Sequence, residues 1–497
     1  MAAVTISEML ALEAKALATG WTEERLLDLA GERLGLAIGR FYPKPGTAIG
    51  YLGKGHNAGD ALVALQVLRD RFGWKTGVRL AFPIDQLAPL TRRKFEDAAI
   101  SHLMETPVWQ YLDRPLLLLD GLLGSGAKGT MKGPLPPLAE EMDWLRKNAG
   151  ARVAAVDLPS GINADTGIPS PGTVTADITF MIGSAKRGLL CGHAANHTGA
   201  LALVPVEILS SAEPGEMELI SPHNLNAGKY PRPFDFHKGM AGHVGIIAGS
   251  GSYTGAAVLA ATGALRGGAG LVTLHVPNST AAIISARCPP EIIVRGYTSI
   301  AEASDAKCDA WVIGCGLGTI EAEESNHLFE SIHGITKPMV IDADGLNLLA
   351  KHSRMEILGQ SHVITPHPGE FRRLAPDLAN LPRESAAREF ADRFPATLLL
   401  KGSRTVVTQR KQPLWCNSTG SPGMATGGQG DLLAGVIGAR LAIGDAPLEA
   451  AALSAWICGR SAEIALAEAV FSEESLTPGD VAMRLGAAFH DWRTSTR

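Results

Sequence analysis

Residues 48–72 read AIGYLGKGHNAGDALVALQVLRDRF: an apolar run, a glycine-rich turn closed by Asp60, and a helical apolar run. A second stretch, GGQGDLLAGVIGARLA at 427–442, again joins glycines and an aspartate, Asp431, to a helix start. Glycines let backbone N–H groups approach a ligand closely, and a helix start carries partial positive charge, so both stretches suit phosphate. Two such stretches of different design predict two sites in two domains.

Strand-like and helix-like runs alternate along the chain, which predicts an α/β fold with parallel sheets covered on both faces. Helical spacing marks 5–19 and 22–38 at the start, and long helices are predicted at 58–72, 254–266 and 431–442. Strands are predicted at 48–52, 77–82, 116–119, 153–156, 178–182 and 200–204, and then at 243–248, 271–276, 310–313, 339–341, 362–364 and 397–400. Between 210 and 238 neither hydrophobic period occurs, so the domain boundary is placed there.

Composition bears on the partners and the cellular compartment of the protein. The 497 residues carry a formal net charge of -5 and no basic block, which argues against nucleic acid as a partner. No run reaches the roughly 18 apolar residues of a membrane helix, so no membrane partner is expected. Six cysteines without a C-x-x-C pair favour a reducing compartment, and we expect a cytoplasmic homo-oligomer. The loop from Cys191 to His197 lacks a fourth ligand at zinc spacing and is interpreted as structural.

Polar residues follow several apolar strands, where ligands bind in open α/β sheets. In the first half Asp120 and Asp157 each come directly after a predicted strand, and Asn57 and Asp60 are spaced to face the same cleft. An aspartate after a strand is often only a turn or helix cap, but their number favours a site. The sequence predicts a cleft that holds Asp60, Asp120 and Asp157.

The second half repeats this arrangement with different residues. Asp342 and Asp344 follow one predicted strand, and Lys401 and Arg404 follow another. Lys and Arg beside a glycine can pair with nucleotide phosphates. Asp431, at a helix start beside Gly430, is placed as a general base next to an anion hole, a layout suited to phosphoryl transfer to a hydroxyl.

The ordered set of motifs resembles the bifunctional NAD(P)H-hydrate repair enzymes over essentially the whole chain. The motifs are DLPSGINADTG at 157–167, HKG at 237–239, GSGSYTGA at 249–256, TPHPGE at 365–370 and KGSRT at 401–405. The resemblance implies a Rossmann-like NAD(P)H-hydrate epimerase domain at 1–215 and a ribokinase-like, ADP-dependent NAD(P)H-hydrate dehydratase domain at 228–497. Its substrates would be the hydrates NADHX and NADPHX, together with ADP or ATP.

In the first domain the resemblance implies a hydrate site, a potassium ion and Asp157 as the acid/base that inverts C6 of the nicotinamide ring. Oxygen ligands suit a hard cation such as K⁺. The implied potassium positions are Asn57, Asp120 and Ser160. The implied hydrate positions are His56, Asn57, Ala58, Gly59, Asp60, Gly124, Ser125, Gly126, Ala127, Lys128, Gly129 and Thr130.

In the second domain the resemblance implies a hydrate site, a site for ADP or ATP with Mg²⁺, and Asp431 as the base that takes the hydroxyl proton during transfer. Phosphorylating the C6 hydroxyl turns a poor leaving group into a good one. The implied hydrate positions are Ala256, Gly318, His367 and Asp431. The implied nucleotide positions are Lys401, Gly402, Ser403, Arg404, Thr405 and Gly430.

Some positions depart from the family pattern. In the first glycine-rich stretch His56 stands for Asn, and Ala58 and Ala61 stand for Gly. A β-carbon at residue 58 is costly if that position requires a positive φ. In the second stretch Gln429 stands for a small Thr or Ala.

Two other functions fit parts of the sequence. Ribokinase-like domains that phosphorylate vitamin alcohols share the G-x-G-D end, so the second domain could be a small-molecule kinase that leaves a stable phosphorylated product. The first domain could be a non-catalytic binding or scaffold module.

Overall fold

The computed structural model describes residues 2–106, 108–127, 129–211, 214–228, 232–304, 307–468 and 470–494. The chain divides between Leu219 and Ile220 into two compact units. Each unit contains its own sheet, in agreement with the predicted α/β class.

The first unit contains a parallel sheet of seven strands in the order β3-β2-β1-β4-β5-β6-β7. Its strands are β1 (Thr47–Leu52), β2 (Lys75–Leu80), β3 (Ser101–His102), β4 (Leu116–Gly121), β5 (Arg152–Val156), β6 (Ile178–Ile182) and β7 (Ala200–Val204), followed by the short β8 (Met217–Leu219). Its helices are α1 (Ile6–Ala18), α2 (Glu23–Phe41), α3 (His56–Phe72), α4 (Pro89–Ala98), α5 (Leu135–Ala149) and α6 (Ala195–Thr198).

Alternating side chains of the central strands build a separate core on each face of this sheet. Leu117 and Leu119 of β4 belong to the core that contains α2 and α3 residues. Leu116 and Leu118 belong to the core that contains α5 residues. Since each strand is apolar on both faces, the sheet is the middle of three layers. The strand order reverses between β1 and β4, and such a reversal opens a crevice at the carboxyl ends of the two strands.

The second unit contributes nine strands to one sheet, in the order β11-β10-β9-β12-β13-β14-β15-β16-β17. These strands are parallel except at the last two pairings, β15 with β16 and β16 with β17, which are antiparallel. The strands are β9 (His243–Ile247), β10 (Leu271–Pro277), β11 (Ile293–Tyr297), β12 (Ala310–Ile313), β13 (Met339–Ile341), β14 (His362–Ile364), β15 (Thr397–Leu400), β16 (Val406–Thr408) and β17 (Leu414–Cys416). The helices are α7 (Thr254–Gly267), α8 (Asn278–Arg287), α9 (Ile300–Ser304), α10 (Ala322–Gly334), α11 (Asp344–Lys351), α12 (Pro368–Leu374), α13 (Arg383–Arg393), α14 (Gln429–Ile443), α15 (Pro447–Ala467) and α16 (Pro478–Thr494).

Helices α7 and α14 approach each other closely because glycines lie at their contact. A β-carbon on Gly435 would come within 1.9 Å of the Ala260 carbonyl oxygen, and one on Gly263 within 2.2 Å of the Leu432 carbonyl oxygen. Both helices can therefore pack against the same region of the sheet. This packing fixes the start of α14, where Asp431 lies.

Candidate active sites

The first glycine-rich stretch is helical from His56 onward, two residues before the helix start at 58 that the sequence predicted. Gly55 is the N-cap of α3, and Ala58 is a buried helical residue. Residue 58 therefore does not require a positive φ, and the predicted cost of its β-carbon does not arise.

The side chains of this first helical turn divide between two surroundings. His56, Asn57, Ala58 and Asp60 line a cavity of about 580 Å³ at the switch point between β1 and β4. Gly59 instead faces α2, where a β-carbon would come within 2.6 Å of Leu27 Cδ1. Four of the five predicted hydrate positions in this turn thus share one cavity.

The glycine-rich segment after β4 forms another wall of the same cavity, through Gly124, Ser125, Gly126 and Ala127. Gly129 lines a neighbouring cavity of about 330 Å³ together with Ser160. Thr130 is exposed and lines neither cavity. Lys128 lies outside the described residues.

Asp120 is fully buried beneath this segment and does not line the cavity that contains Asp60 and Asp157. It is part of β4, paired beside Tyr51, rather than the residue after the strand. Its Oδ1 accepts a hydrogen bond from Ser160 Oγ at 2.6 Å, and its Oδ2 accepts one from Ser160 N at 2.7 Å. Burial raises the pKa of Asp120 to about 6, although the hydrogen bonds from Ser160 oppose the shift. The prediction of three acids in one open cleft therefore needs correction.

Ser160 and Asn57 connect Asp120 to the segment that follows β4. Ser160 Oγ accepts from Leu123 N at 2.9 Å, and Asn57 Nδ2 donates to the Leu123 carbonyl at 2.9 Å. Carboxylate, hydroxyl, amide and carbonyl groups thus lie close together here. Their oxygens are the kind of ligand that a hard cation such as K⁺ prefers. Within the described part of the chain, no three His, Cys, Asp or Glu side chains are grouped to hold a metal ion.

Asp157, directly after β5, has a φ of 68°, in the left-handed region that is strained for a residue with a β-carbon. Such a conformation costs on the order of 1–3 kcal/mol and is found preferentially at functional sites. Asp157 Oδ1 accepts a hydrogen bond from Ile182 N at 2.9 Å and forms an ion pair with Lys186 Nζ. The Lys186 side chain is only 1% exposed, and its Nζ also donates to the Ile182 carbonyl at 2.8 Å.

Three further carboxyl groups line this cavity, Asp60 from α3, Glu13 from α1 and Glu23 from the start of α2. Burial, reinforced by the negative charge of Asp157, raises the pKa of Asp60 well above its ordinary range. Burial also raises the pKa of Glu13, with Lys186 opposing the shift.

Sequence reasoning missed Lys186 and Glu13. Lys186 follows the apolar strand β6 by four residues, so the strand-end rule used for the aspartates could have found it. Glu13 interrupts the apolar pattern of α1, and an acidic residue within a helix indicates a site less strongly than a charged residue after a strand.

In the second unit, Asp431 lies in the first turn of α14, as the sequence predicted. Gly428 precedes the helix with a φ of 93°, a conformation that favours glycine. Burial raises the pKa of Asp431 to about 6, and the carboxylate of Asp342 adds to the shift. The thiol of Cys315, which is fully buried, hydrogen-bonds to the Asp431 carboxylate.

Lys401, directly after β15, reaches across to the carboxyl end of β13. Its Nζ lies 2.8 Å from Asp342 Oδ1 and 4.0 Å from Glu370 Oε2. Burial opposes the Lys401 charge, but Asp342 and Glu370 outweigh it and raise the pKa of the ammonium group. A β-carbon on Gly430 would lie 3.1 Å from Lys401 Nζ, so the start of α14 faces this pair.

The remaining predicted hydrate positions lie around this centre. Gly318 N donates to Asp344 Oδ2 at 2.8 Å. A β-carbon on the neighbouring Gly316 would come within 2.7 Å of the Ala256 β-carbon, so this loop packs on the first turn of α7. His367 is the N-cap of α12, and its backbone N donates at 2.7 Å to Oε2 of Glu370, which also faces Lys401.

The predicted nucleotide segment 401–405 forms a turn after β15. Gly402 has a φ of 159°, and a β-carbon there would collide with the guanidinium group of Arg383. Ser403 is exposed. Arg404 is 5% exposed, and its charge faces Glu463 and Cys416. Thr405 Oγ1 closes the turn by donating to the Gly402 carbonyl at 3.1 Å.

From the sequence, no catalytic or binding role was predicted for Asp342, Glu370 or Cys315. Asp342 directly follows β13, and Glu370 belongs to the TPHPGE motif after β14. Their pairing with Lys401, which follows β15, brings together three segments that are separate in the sequence. Cys315 lies in the G-x-G-x-G turn at 314–318, and the residues beside it in that turn, Gly and Leu, do not indicate a functional role.

Comparisons with known proteins match both units. The family described as NAD(P)H-hydrate dehydratase matches residues 244–481, and the family described as YjeF-related protein N-terminus matches residues 23–188. A ribokinase-like superfamily protein from Enterococcus faecalis, 24% identical, covers 56% of this chain and 98% of its own length with a TM-score of 0.50. This structural likeness shows the fold of the second unit. In the described residues no helix is long and apolar enough to span a membrane.

Relatives aligned over most of the chain share one name, bifunctional NAD(P)H-hydrate repair enzyme Nnr. The relative from Gloeobacter violaceus is 37% identical over 476 residues, which cover 90% of each chain. The relative from Escherichia coli is 31% identical over 466 residues, which cover 90% of this chain and 86% of its own. The predicted family is confirmed: this chain belongs to the bifunctional NAD(P)H-hydrate repair enzymes.

Proposed function

We propose that this enzyme carries out both reactions of hydrate repair, each in its own unit. Residues 1–215 interconvert the R and S hydrates of NADH and NADPH. Residues 228–497 dehydrate the S hydrate at the expense of ADP or ATP, which binds with Mg²⁺. The observation that carries this proposal is that each unit separately pairs a lysine with an aspartate at the carboxyl edge of its sheet. Lys186 pairs with Asp157 in the first unit, and Lys401 pairs with Asp342, near Asp431, in the second.

In the first unit Asp157 is the proposed acid/base at C6. Its carboxyl group lines the cavity, and its backbone conformation and hydrogen bonds hold it in place. A positioned side chain that moves a proton in the transition state contributes about 10²–10⁴-fold to a rate. The residues on the α3 start and the segment after β4 enclose the hydrate.

The residues proposed to hold K⁺ are Asn57, Asp120 and Ser160. A bound cation supplies fixed positive charge that attracts the anionic hydrate to the segment after β4. Asp120 and Ser160 anchor that segment through the hydrogen bonds to Leu122 N and Leu123 N.

Replacing Ser160 by Ala should raise the potassium concentration needed for half-maximal epimerisation by about 10- to 100-fold, as loss of a ligand or its support commonly does. The measurement is the R-to-S rate against potassium concentration at constant ionic strength. Ser170→Ala, in the same loop, is the matched control. An unchanged potassium requirement in Ser160→Ala would contradict the proposed cation site.

In the second unit the proposed nucleotide positions are 401–405 and Gly430, with the backbone of the turn and Lys401 facing the phosphates. Asp431 takes the proton of the C6 hydroxyl as the terminal phosphoryl group of ADP or ATP is transferred to the hydroxyl oxygen, and AMP or ADP leaves. Phosphate then leaves with the C6–O bonding pair, and loss of a proton from C5 forms the C5–C6 double bond of the reduced cofactor. Backbone N–H groups at the start of α14 are placed to stabilise anionic oxygens.

The products distinguish dehydration from a kinase reaction. With S hydrate, ADP or ATP and Mg²⁺, we expect reduced cofactor and inorganic phosphate in equal amounts, with no phosphorylated product accumulating. Phosphate release, absorbance of the reduced cofactor and chromatography of the mixture measure this. A stable phosphorylated hydrate, or phosphorylation of vitamin alcohols in its place, would support the kinase alternative.

We also propose a cytoplasmic homo-oligomer. The six cysteines, among which no two form a C-x-x-C pair, support a reducing compartment. The exposed apolar side chains of Met104, Val108 and Tyr111, which follow the edge strand β3, support self-association. Sedimentation of the full chain measures the oligomeric state.

A further inference from the structure

Lys186 is a buried charged group that the proposed reactions do not use. Its side chain is 1% exposed, yet it borders the cavity of the first unit. Its Nζ contacts the Asp157 carboxylate and donates to the Ile182 carbonyl. Its backbone forms an isolated β-bridge with Val4, so both the backbone and the side-chain end of this lysine are fixed by contacts.

Taking an ammonium group out of water is costly, and a buried ion pair is often less stabilising than apolar residues of similar volume. Stability alone therefore gives little reason for a lysine at this position. Its partner, by contrast, is the proposed acid/base residue, held in a strained backbone conformation. The ion pair of Lys186 and Asp157 therefore lies where the proposed proton transfer takes place.

The charges that face Lys186 come from several elements. Asp157 follows β5, Asp60 and His56 belong to α3, and Glu13 belongs to α1. Lys186 thus interacts with three carboxyl groups, which cannot all be ionised without strong repulsion. Lys54, which precedes α3, and Glu23 of α2 line the same cavity. Asp157 has the direct contact with Lys186, whereas burial and the charge of Asp157 favour the protonated form of Asp60.

We infer that Lys186 is a positioning residue for epimerisation: its ion pair with Asp157 holds that carboxylate at the cavity wall as the base, while Asp60, in the same cavity, serves as the acid. The cavity then presents a base and an acid to the same substrate. Two carboxyl groups in different surroundings are the usual basis for such a division of roles. The inference rests on the proposed epimerase function of the first unit.

Replacing Lys186 by Met removes a positive charge from the cluster, so every carboxyl group there should hold its proton to higher pH. We expect the pH profile of kcat/KM for R-to-S conversion to move upward by about one unit or more, since a charge at this range shifts a neighbour by about 1–3 units. The rate at neutral pH should fall. Lys186→Arg keeps the charge and should keep the position of the profile.

The assay uses the full chain, pure R hydrate and no nucleotide, with the two epimers separated by chromatography. Dehydration of S hydrate with ADP by the same preparations reports on the second unit, and thermal unfolding reports on folding. Where Lys186→Met does not fold, Lys186→Gln removes the charge and retains a polar group that can donate to the Ile182 carbonyl.

An uncharged variant that is slower but has an unshifted profile would show a structural role and overturn the inference while the epimerase proposal stands. A profile that shifts equally in Lys186→Arg would also overturn it. A wild-type chain that converts R to S no faster than the spontaneous reaction would overturn the epimerase proposal itself, and the role of Lys186 with it.

Discussion

Asp431→Asn is expected to reduce dehydration of the S hydrate by about 10²–10⁴-fold, the usual contribution of a positioned general base. Asparagine matches the shape of the aspartate at the start of α14 but cannot accept the hydroxyl proton. The variant should bind nucleotide, since the proposed contacts come from residues 401–405 and from the backbone of Gly430, which this substitution leaves in place. Reduced cofactor formed from S hydrate and ADP is the measurement.

The pH dependence of the same reaction has a defined direction. Burial, with the Asp342 carboxylate, raises the pKa of Asp431 to about 6. A base must be ionised to act, so kcat/KM for dehydration should be constant above this pH and fall as the pH drops through about 6. Asp431→Asn should lose this acid limb along with the activity.

Epimerisation by the Asp431→Asn chain is the internal control and should equal that of the wild type. A variant that still restores reduced cofactor at the wild-type rate would contradict the assignment of Asp431 as the base. Loss of both activities together with a lowered unfolding temperature would point to misfolding, and Asp431→Glu would then separate the chemistry from the packing.

Asp157→Asn should have the opposite effect, reducing R-to-S conversion by about 10²–10⁴-fold and leaving dehydration of S hydrate unchanged. The amide retains the acceptor oxygen that faces Ile182 N, but it cannot exchange a proton with the substrate. It also leaves the Lys186 ammonium without its counter-ion, so some loss of stability is expected.

Given a mixture of hydrates, ADP and Mg²⁺, the Asp157→Asn chain should convert the S share at the normal rate and then slow to the spontaneous epimerisation rate. The double variant Asp157→Asn with Lys186→Met removes the unpaired charge and controls for stability. Fast recovery of the R share by Asp157→Asn would exclude this residue as the acid/base.

The sequence predicted those parts of the sites that a single strand end determines. Asp157 and Lys401 follow the end of a strand pattern, and Asp431 stands where a helix pattern begins, so local periodicity was enough to predict that they lie at the functional edge. The family resemblance then supplied roles that periodicity alone could not.

The missed features depend on contacts between distant segments. The pairing of Lys186 with Asp157 joins two strand ends, and that of Lys401 with Asp342 joins two others. Local patterns carry no information about which of these side chains meet. Glu13 enters its cavity from α1, which lies outside the residues matched by the N-terminal family.

The departures at 58 and 61 show a related limit of motif reasoning. Both alanines are buried within α3, and a helix tolerates a β-carbon well. The glycine that the family pattern has at 58 suggested a backbone with positive φ, a conformation that the helix does not use. His56 remains the substantive difference, since its side chain borders the cavity.

The central claim is that one chain repairs both epimers, and recovery from mixed hydrates tests it most directly. Wild-type protein is supplied with R and S hydrates in equal amounts, excess ADP and Mg²⁺, and the reduced cofactor is followed to completion. The account predicts that all of the hydrate returns to reduced cofactor, much faster than spontaneous epimerisation allows. Recovery that stops at the S share, or no recovery at all, would contradict it.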